Sequence, residues 1–291
     1  MDNIIFFNDD SLVITYTYGP DDQGICGHTY ECIEYFWLLK DHFNVKIFLA
    51  EEHVYNNFKN IIQEKYNFSG DEISFILSKT YFKNKPKIIK SKYILITDGA
   101  YSKIKLTNYL ADKIFVFMCG DLSILNEKLK KYVILMDKRL YDVPKHIKWY
   151  DYTKKMLFSR FRKIDKFKNN TLIYITDHCR SLQNEEKYKN YNNLIALSEN
   201  KYKYIKTIKP PLNNFHSEFD TFIYTSVPRK FDCSPRLVLE CYHYNKKVIF
   251  DLNYNISEDK GLFYRLQDYT ANKVNMIDND EIISIIQKEI Q

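Results

Sequence analysis

The feature that most constrains this chain is a regular alternation of short apolar runs with longer stretches of helical periodicity. LVITYTY (12–18), VKIFLA (45–50) and YILITD (93–98) are examples of the apolar runs, and polar or amphipathic segments separate them. Strands that alternate with helical segments are typical of β-α-β units, in which the strands lie parallel. The pattern therefore predicts an α/β fold built on parallel sheets.

The alternation occurs in two series, and a polar stretch at 154–170 between them is the candidate domain linker. The first series continues with ISFILS (73–78), KIFVFMCG (113–120) and YVILM (132–136). The second consists of TLIYITD (171–177), IALSE (195–199), YIKTI (204–208), TFIYTS (221–226), KVIFDL (247–252), KVNMID (273–278) and a closing amphipathic helix, DEIISIIQKEI (280–290). We expect two doubly wound, Rossmann-like domains facing a cleft, over residues 1–160 and 161–291. Ligands of such sheets bind beyond the carboxyl ends of the strands.

Length and composition fit this interpretation. With 291 residues and 45% hydrophobic content, the chain can bury two cores. No apolar run approaches the roughly 20 residues of a membrane span, and the segment MDNIIFFNDD is acidic where a signal peptide would be basic. The six cysteines are scattered without a CxxC pair, which favours free thiols in a reducing compartment. We expect a cytoplasmic protein (in the host cytoplasm if viral) without stable membrane association.

Charge is distributed unevenly along the sequence. Residues 81–168 hold 22 Lys/Arg against 8 Asp/Glu, a net charge of +14, whereas the remainder has a net charge of −8. A basic middle between acidic flanks indicates a polyanionic partner facing that region. A solvated, lysine-rich surface with no such partner is the alternative, and charge alone does not separate the two.

The most specific motif is FDCSPRLVLECYHYNKKVIFD (231–251). Ser234 is suited to cap a helix that has Pro235 at its first position. Arg236 would then lie in the first turn, where backbone N–H groups and the helix dipole favour a diphosphate. Glu240, four residues on, shares its helical face and could accept hydrogen bonds from two ribose hydroxyls. An ordinary surface ion pair between Arg236 and Glu240 is the competing explanation.

This motif resembles the nucleotide-sugar signature of GT-B glycosyltransferases, which are built from two Rossmann-like domains. The chain as a whole is similar to the DNA β-glucosyltransferases of T-even-type bacteriophages, which glycosylate hydroxymethylcytosine. The resemblance implies that Glu240 binds the donor ribose and Arg236 its phosphates. It makes 161–291 the nucleotide-sugar-binding domain and 1–160 the acceptor (DNA)-binding domain.

Three further segments carry the resemblance. In TLIYITDHCRSLQ (171–183), the Arg-Ser-x-Gln context implies a phosphate-binding role for Arg180, with Ser181 beside it. YIKTIKPP (204–211) is similar to the loop that contacts uracil, and Lys209 within it is a further candidate for the diphosphate. KIFVFMCGD (113–121) resembles the buried strand that leads to the catalytic aspartate, which would be Asp121.

The chemistry of an inverting transferase requires a carboxylate or similar base that takes the proton of the acceptor hydroxyl. Asp121 and Asp98 each follow a predicted strand, and Gly99 leaves room for close approach beside Asp98. Either aspartate could instead cap the helix or turn that follows. His28, in the loop GPDDQGICGHTYE (19–31), is a third candidate, although this loop could equally be a plain connection capped by Thr29.

The expected reaction is transfer of a hexose or pentose, such as glucose or arabinose, from a UDP-sugar to a hydroxymethylated pyrimidine in double-stranded DNA. A divalent metal, Mg²⁺ or Mn²⁺, is compatible with departure of the diphosphate, but the seven dispersed histidines identify no ligand set. We expect a monomer. Two alternatives stay open: a GT-B enzyme acting on lipopolysaccharide or another surface glycan, and a non-enzymatic module that binds nucleotide or DNA.

Overall fold

The computed structural model describes residues 4–7, 10–16, 27–49, 52–83, 86, 88–97, 109–118, 132–141, 145, 147–173, 185–191, 193–197, 203–208, 215–225, 235–272, 274 and 280–291. The strands are β1 (Ile4–Phe6), β2 (Ser11–Thr15), β3 (Asn44–Leu49), β4 (Thr80–Phe82), β5 (Ile88–Lys90), β6 (Tyr93–Ile96), β7 (Tyr109–Leu110), β8 (Lys113–Phe117), β9 (Tyr132–Met136), β10 (Trp149–Asp151), β11 (Thr171–Ile173), β12 (Leu194–Leu197), β13 (Lys206–Ile208), β14 (Thr221–Thr225) and β15 (Lys247–Asp251). The helices are α1 (Gly27–Leu39), α2 (Glu52–Lys65), α3 (Gly70–Ser78), α4 (Arg236–His243), α5 (Lys260–Thr270) and α6 (Asp280–Ile290).

These elements form two compact units. The first contains 1–62, 68–160 and 272–291, and the second contains 63–67 and 161–271. The division after Arg160 lies within the polar stretch predicted as a linker, yet Met156, Leu157 and Phe161 of that stretch are buried. The last twenty residues, which the sequence prediction gave to the C-terminal domain, cluster with the first unit instead.

The first unit is organised by a seven-stranded parallel sheet in the order β10-β9-β8-β6-β2-β3-β4. Strands β2 and β9 are buried along their whole length, and β6 and β8 along all but their first residue, as expected of nearly continuous apolar runs in a sheet covered on both faces. From β2 the chain adds strands to one side and then, beginning with β6, to the other. The carboxyl ends of β2 and β6 therefore form a topological switch point.

A three-stranded parallel sheet, in the order β1-β5-β7, completes the strands of this unit within the described residues. Its side chains alternate between two faces, as the pleat requires. Ile89 and Tyr109 belong to the core that the large sheet also lines, and Ile5 packs against that core. Phe6, Lys90 and Leu110 lie on the opposite face and are exposed.

Helix α3 corrects one prediction, because ISFILS (73–78) was expected to be a strand. Ser69 caps the helix by accepting a hydrogen bond from the Glu72 amide at 3.2 Å, while the Glu72 carboxylate accepts one from the Ser69 amide at 2.7 Å. This capping box satisfies two amides at the start of the helix. Ile73 and Ile76, three residues apart, supply its buried side. The strand that follows is β4, which the sequence analysis did not predict.

Helix α6 packs on the first unit through four buried isoleucines, Ile282, Ile283, Ile285 and Ile286. Its buried Glu289 accepts hydrogen bonds from the Tyr150 hydroxyl at 2.6 Å and from Lys113 Nζ at 3.3 Å, and it forms an ion pair with Lys148 Nζ at 2.6 Å. These contacts hold the carboxylate ionised, so the pKa of Glu289 is lowered although burial alone would raise it. Apolar packing and this ion pair together tie α6 to β8 and β10.

The second unit is built on a five-stranded parallel sheet in the order β13-β12-β11-β14-β15. Its core joins the sheet to α4 and α5 through Phe222, Tyr224, Val238 and Leu262. A switch point lies between the carboxyl ends of β11 and β14. The strand predicted over 273–278 lies outside the described residues, apart from Val274, which is in a turn.

The mixed α/β fold with parallel sheets is therefore confirmed, and it is compatible with a Rossmann-like architecture. Within the described part of the chain, no helix combines the length and apolarity needed to cross a bilayer.

Candidate functional site

Polar side chains converge at the switch point of the first unit. Helix α1, which begins at Gly27, is the next element after β2, and Thr97 directly follows β6. The Thr97 amide continues the ladder by donating to the Thr15 carbonyl at 2.9 Å, and the Thr97 hydroxyl donates to the His28 carbonyl at 3.3 Å. These bonds fasten the first turn of α1, which carries His28, to the end of β6.

His28 is paired with a buried carboxylate one turn along α1. Its Nδ1 lies 3.0 Å from Glu31 Oε2, and the imidazole is 26% exposed whereas Glu31 is 5% exposed. A carboxylate bound to one ring nitrogen orients the imidazole and stabilises the positive charge that the ring gains when it accepts a proton. The pair thus has the parts of a general base at the edge where Rossmann-like sheets bind ligands.

Lys154 completes this cluster and was not predicted. Its Nζ donates to the same Glu31 oxygen at 2.7 Å and to the Thr97 carbonyl at 2.5 Å, and the side chain is buried. The ammonium also lies 5.4 Å from the centroid of the Phe117 ring. Lysine and carboxylate therefore compensate each other's charge in the interior. No local sequence pattern identifies Lys154, because its partners are 123 and 57 residues away.

Three aromatic side chains, Tyr35, Phe117 and Tyr152, pack together beside this cluster, and we call them the aromatic wall. The hydroxyls of Tyr35 and Tyr152 are 3.2 Å apart, and the Tyr35 ring packs on Phe117 with centroids 4.6 Å apart. Burial raises the pKa of Tyr35 well above its ordinary value, so this hydroxyl stays protonated at physiological pH. The wall therefore supplies shape and hydrogen bonds but no charge.

In the second unit, α4 begins one residue later than predicted. Pro235 is at the N-cap with φ −69° and no side-chain cap, and the helix starts at Arg236, not at Pro235. The Pro235 carbonyl accepts from the Val238 amide at 3.1 Å. Proline at this position removes a donor that the helix start would leave unpaired. Ser234, the predicted cap, lies outside the described residues.

Glu240, the predicted ribose ligand, is the centre of a buried ionic cluster within the second unit. Its Oε1 accepts from Arg236 Nε at 2.7 Å and from Lys65 Nζ, and its Oε2 accepts from His216 Nε2 at 2.8 Å. The carboxylate is only 3% exposed. The i,i+4 pair with Arg236 is present, but it is buried and so is not the surface pair of the competing explanation. Lys65 and His216 are additional partners of Glu240. A ribose would have to join or replace these donors, so the ribose role stays a prediction.

The electrostatics of this cluster follow from its burial and its charges. Burial alone would raise the pKa of Glu240, but Lys65, Arg236 and the His216 hydrogen bond outweigh it and hold that pKa well below its ordinary value. Burial lowers the pKa of His216 to about 4. At neutral pH the cluster therefore contains one carboxylate, two cations and a neutral imidazole that donates through Nε2.

Lys246 holds the short 3₁₀ turn Phe215–Glu218 that carries His216. Its Nζ donates to the carbonyls of His216 and Phe219, the latter at 2.8 Å, and lies 3.4 Å from the Phe219 ring centroid. Burial lowers the pKa of Lys246 to about 8. No sequence signal identifies Lys65, His216 or Lys246 as members of the cluster, since nothing in the local pattern distinguishes them from solvated side chains.

The other predicted site residues fall outside the described residues. They are Asp98, Asp121, Arg180, Ser181, Lys209 and Ser234. The strands that precede Asp98 and Asp121, β6 and β8, are neighbours in the large sheet, and the strands that precede Arg180 and Ser234, β11 and β14, are neighbours in the second sheet. Among the residues that the structure describes, no group of three or more His, Cys, Asp or Glu could hold a metal ion.

No protein-family model matches the chain, and no curated protein or solved structure shows significant similarity to it.

Proposed function

We propose that this chain is a GT-B glycosyltransferase that moves a hexose or pentose from a UDP-sugar to the hydroxymethyl group of a modified pyrimidine in DNA. The observation that carries the proposal is the repetition of one strand order. Numbered by their order within each sheet, the strands run 3-2-1-4-5-6-7 in the first unit and 3-2-1-4-5 in the second. Sheets of this order bind nucleotides and related ligands at the switch point, so each unit offers one such site, an arrangement that suits an enzyme with two substrates.

The donor is assigned to the second unit. The segments that follow β11 and β14 contain Arg180, Ser181 and Ser234, and α4 starts after β14 with Arg236 in its first turn. Backbone N–H groups and a guanidinium at a helix start are suited to a diphosphate. Glu240 has two candidate roles here. It could bind the ribose, as the resemblance implies, or it could fix the Arg236 side chain through the 2.7 Å bond to Nε.

The acceptor and the base are assigned to the first unit. In an inverting transfer the base removes the proton of the acceptor hydroxyl, the oxygen bonds to the anomeric carbon, and UDP leaves with the electrons of the broken bond. The resemblance assigns the base to Asp121, with Asp98 as its rival. His28 is the candidate whose geometry is described, and its pairing with Glu31 supports it.

The nucleic-acid acceptor rests on charge. Residues 81–168 have a net charge of +14 in a chain whose total is +6. To reach a base, the enzyme would need it outside the stack, as other enzymes that modify bases do. UDP-sugar as the donor follows from the resemblance, and a divalent metal would assist the departing diphosphate without identified protein ligands.

The decisive experiment offers the purified protein hydroxymethylated and plain DNA with a panel of UDP-sugars, followed by mass spectrometry of the nucleosides. A hexose or pentose mass added only to the hydroxymethylated nucleoside supports the proposal. Hydrolysis of UDP-sugar with no addition to DNA would move the acceptor to another class, such as a surface glycan. Absence of both turnover and UDP-sugar binding would contradict the transferase proposal itself.

A further inference from the structure

The three-stranded sheet of the first unit presents an exposed row of side chains. Lys90 pairs in register with Phe6 on one side and with Leu110 on the other, so the three side chains lie side by side on one face. Phe6 is 66% exposed and Leu110 is 43% exposed. We call Phe6, Lys90 and Leu110 the outward row. An aromatic ring this exposed on a sheet face is available for stacking.

The chain around β5, the middle strand of the outward row, is rich in lysine, whereas aspartates flank β1 in the sequence and Asp112 follows β7. The Lys90 ammonium lies 5.7 Å from the centroid of the Phe6 ring. The segment 81–92, which contains β5, holds five lysines and no carboxylate. Of these lysines, Lys83 donates to the Ile4 carbonyl at 3.1 Å, beside β1, and Lys92 is exposed just after β5. An exposed ring is therefore bordered by cations on β5 and next to β1.

An exposed ring beside lysines suits some classes of partner better than others. An apolar protein surface placed on the row would bury the Lys90 ammonium without a counter-charge, which is costly. A DNA duplex would offer phosphates to the lysines but would keep its bases stacked away from Phe6. A single strand offers both a phosphate for each lysine and an unstacked base for the ring.

We propose that the outward row is a docking surface for single-stranded nucleic acid, with a base stacked on Phe6 and the adjoining phosphate bound by Lys90. The biological role of this surface rests on the proposed function. If the chain modifies DNA, a single-strand docking surface implies that the acceptor DNA reaches the enzyme unpaired or locally opened. Binding to the row does not itself require sugar transfer.

The test measures anisotropy of a fluorescent oligothymidylate against wild type and two variants over a series of salt concentrations. Phe6→Ala removes the stacking ring and should weaken binding about 5- to 150-fold without changing the salt dependence. Lys90→Gln removes one phosphate contact and should reduce the slope of log affinity against log salt by about 0.7. Phe75→Ala on α3, where Phe75 is 42% exposed, and Lys59→Gln on α2 are the matched controls, and both should bind as wild type does.

Three results would overturn the inference. In the first, Phe6→Ala and Lys90→Gln bind the oligothymidylate as tightly as their controls do. In the second, a duplex of the same length competes better than the single strand. In the third, sedimentation shows that Phe6→Ala disrupts a dimer while oligothymidylate binding is unchanged, which would make the row an interface between copies.

UDP-sugar hydrolysis, measured on the same samples, separates this inference from the proposed function. Wild type that hydrolyses UDP-sugar but does not bind the oligothymidylate would remove the docking surface and leave the transferase proposal standing. If the wild-type protein binds the oligothymidylate through Phe6 and Lys90 but turns over no UDP-sugar, the docking surface stands and the transferase proposal is contradicted.

Discussion

Replacing Glu240 by Gln would remove the negative charge of the buried cluster while nearly preserving the size of the side chain. The side chains of Lys65 and Arg236 are only 5% and 10% exposed, so both would remain buried without a counter-charge. Removing one partner of a buried ion pair costs about 3–5 kcal/mol. Domains have about 5–15 kcal/mol of unfolding free energy, so Glu240→Gln should leave the second unit marginal.

The measurement can separate the two units. Both tryptophans, Trp37 and Trp149, belong to the first unit, so urea unfolding followed by tryptophan fluorescence reports on that unit. Amide hydrogen exchange of peptides from α4 and from 215–218 reports on the second. Glu240→Gln should lower protection in these peptides by an amount that corresponds to about 3–5 kcal/mol, with a smaller effect on the fluorescence transition.

Two comparisons make the result decisive. Glu218→Gln breaks an ion pair of the same unit with Lys168, which is 62% exposed, and should cost less than about 1 kcal/mol. Lys65→Met leaves Arg236 and Glu240 as a neutral pair, so it should cost less than Glu240→Gln does. If Glu240→Gln costs no more than Glu218→Gln, or less than Lys65→Met, the charge balance assigned to the cluster is wrong.

Three further predictions concern pH, the base and the donor. Because burial lowers the pKa of His216 from 6.5 to about 4, the unfolded chain takes up a proton at higher pH than the folded chain does. The second unit should therefore lose up to about 3 kcal/mol as pH falls from 6.5 to 4, and denaturation of His216→Phe should show a flatter profile in that window. Asp121→Asn should lower the rate of transfer by about two to four orders of magnitude while donor and DNA binding persist. If Asp121→Asn stays active while Asp98→Asn or His28→Ala is inactive, the general base is Asp98 or His28 instead. Under conditions in which hydrogen exchange shows the second unit folded, Glu240→Ala should weaken UDP-sugar binding more than DNA binding in calorimetry, because each lost bond to the carboxylate is worth about 1.5–3 kcal/mol. Unchanged UDP affinity would refute its donor role.

Most strands that are buried on both faces could be predicted from the sequence because such burial leaves a local apolar signature, whereas the short strands β1, β4, β5, β7 and β10 were not predicted. YVILM (132–136) coincides with β9, and the prediction over 221–226 matches β14 to within one residue. The prediction of a strand over ISFILS (73–78) was wrong because the spacing of its apolar residues also suits a helix. The capping box that decides between the two involves Ser69, four residues before the apolar run begins. A short apolar run is ambiguous until its flanking residues are considered.

The candidate sites were less predictable because their partners are distant in sequence. Arg236 and Glu240 could be paired by helical spacing, whereas Lys65 reaches Glu240 across 175 residues. Lys154 lies in a stretch that is polar and was assigned to a linker, yet its ammonium is buried against Glu31. Such contacts depend on tertiary structure, and no local pattern encodes which lysine of many will be buried.

The assignment of α6 to the first unit has a consequence for biosynthesis. The ribosome makes residues 161–271 before it makes 280–290, so the second unit's sequence is complete while Lys113, Lys148 and Tyr150 still await Glu289. Synthesis of the first unit thus begins before that of residues 161–271 but is completed only after them, when α6 has been made. During that interval the apolar surface that the four isoleucines of α6 will cover is open to solvent, and such surface makes a nascent chain prone to aggregation and a target for chaperones.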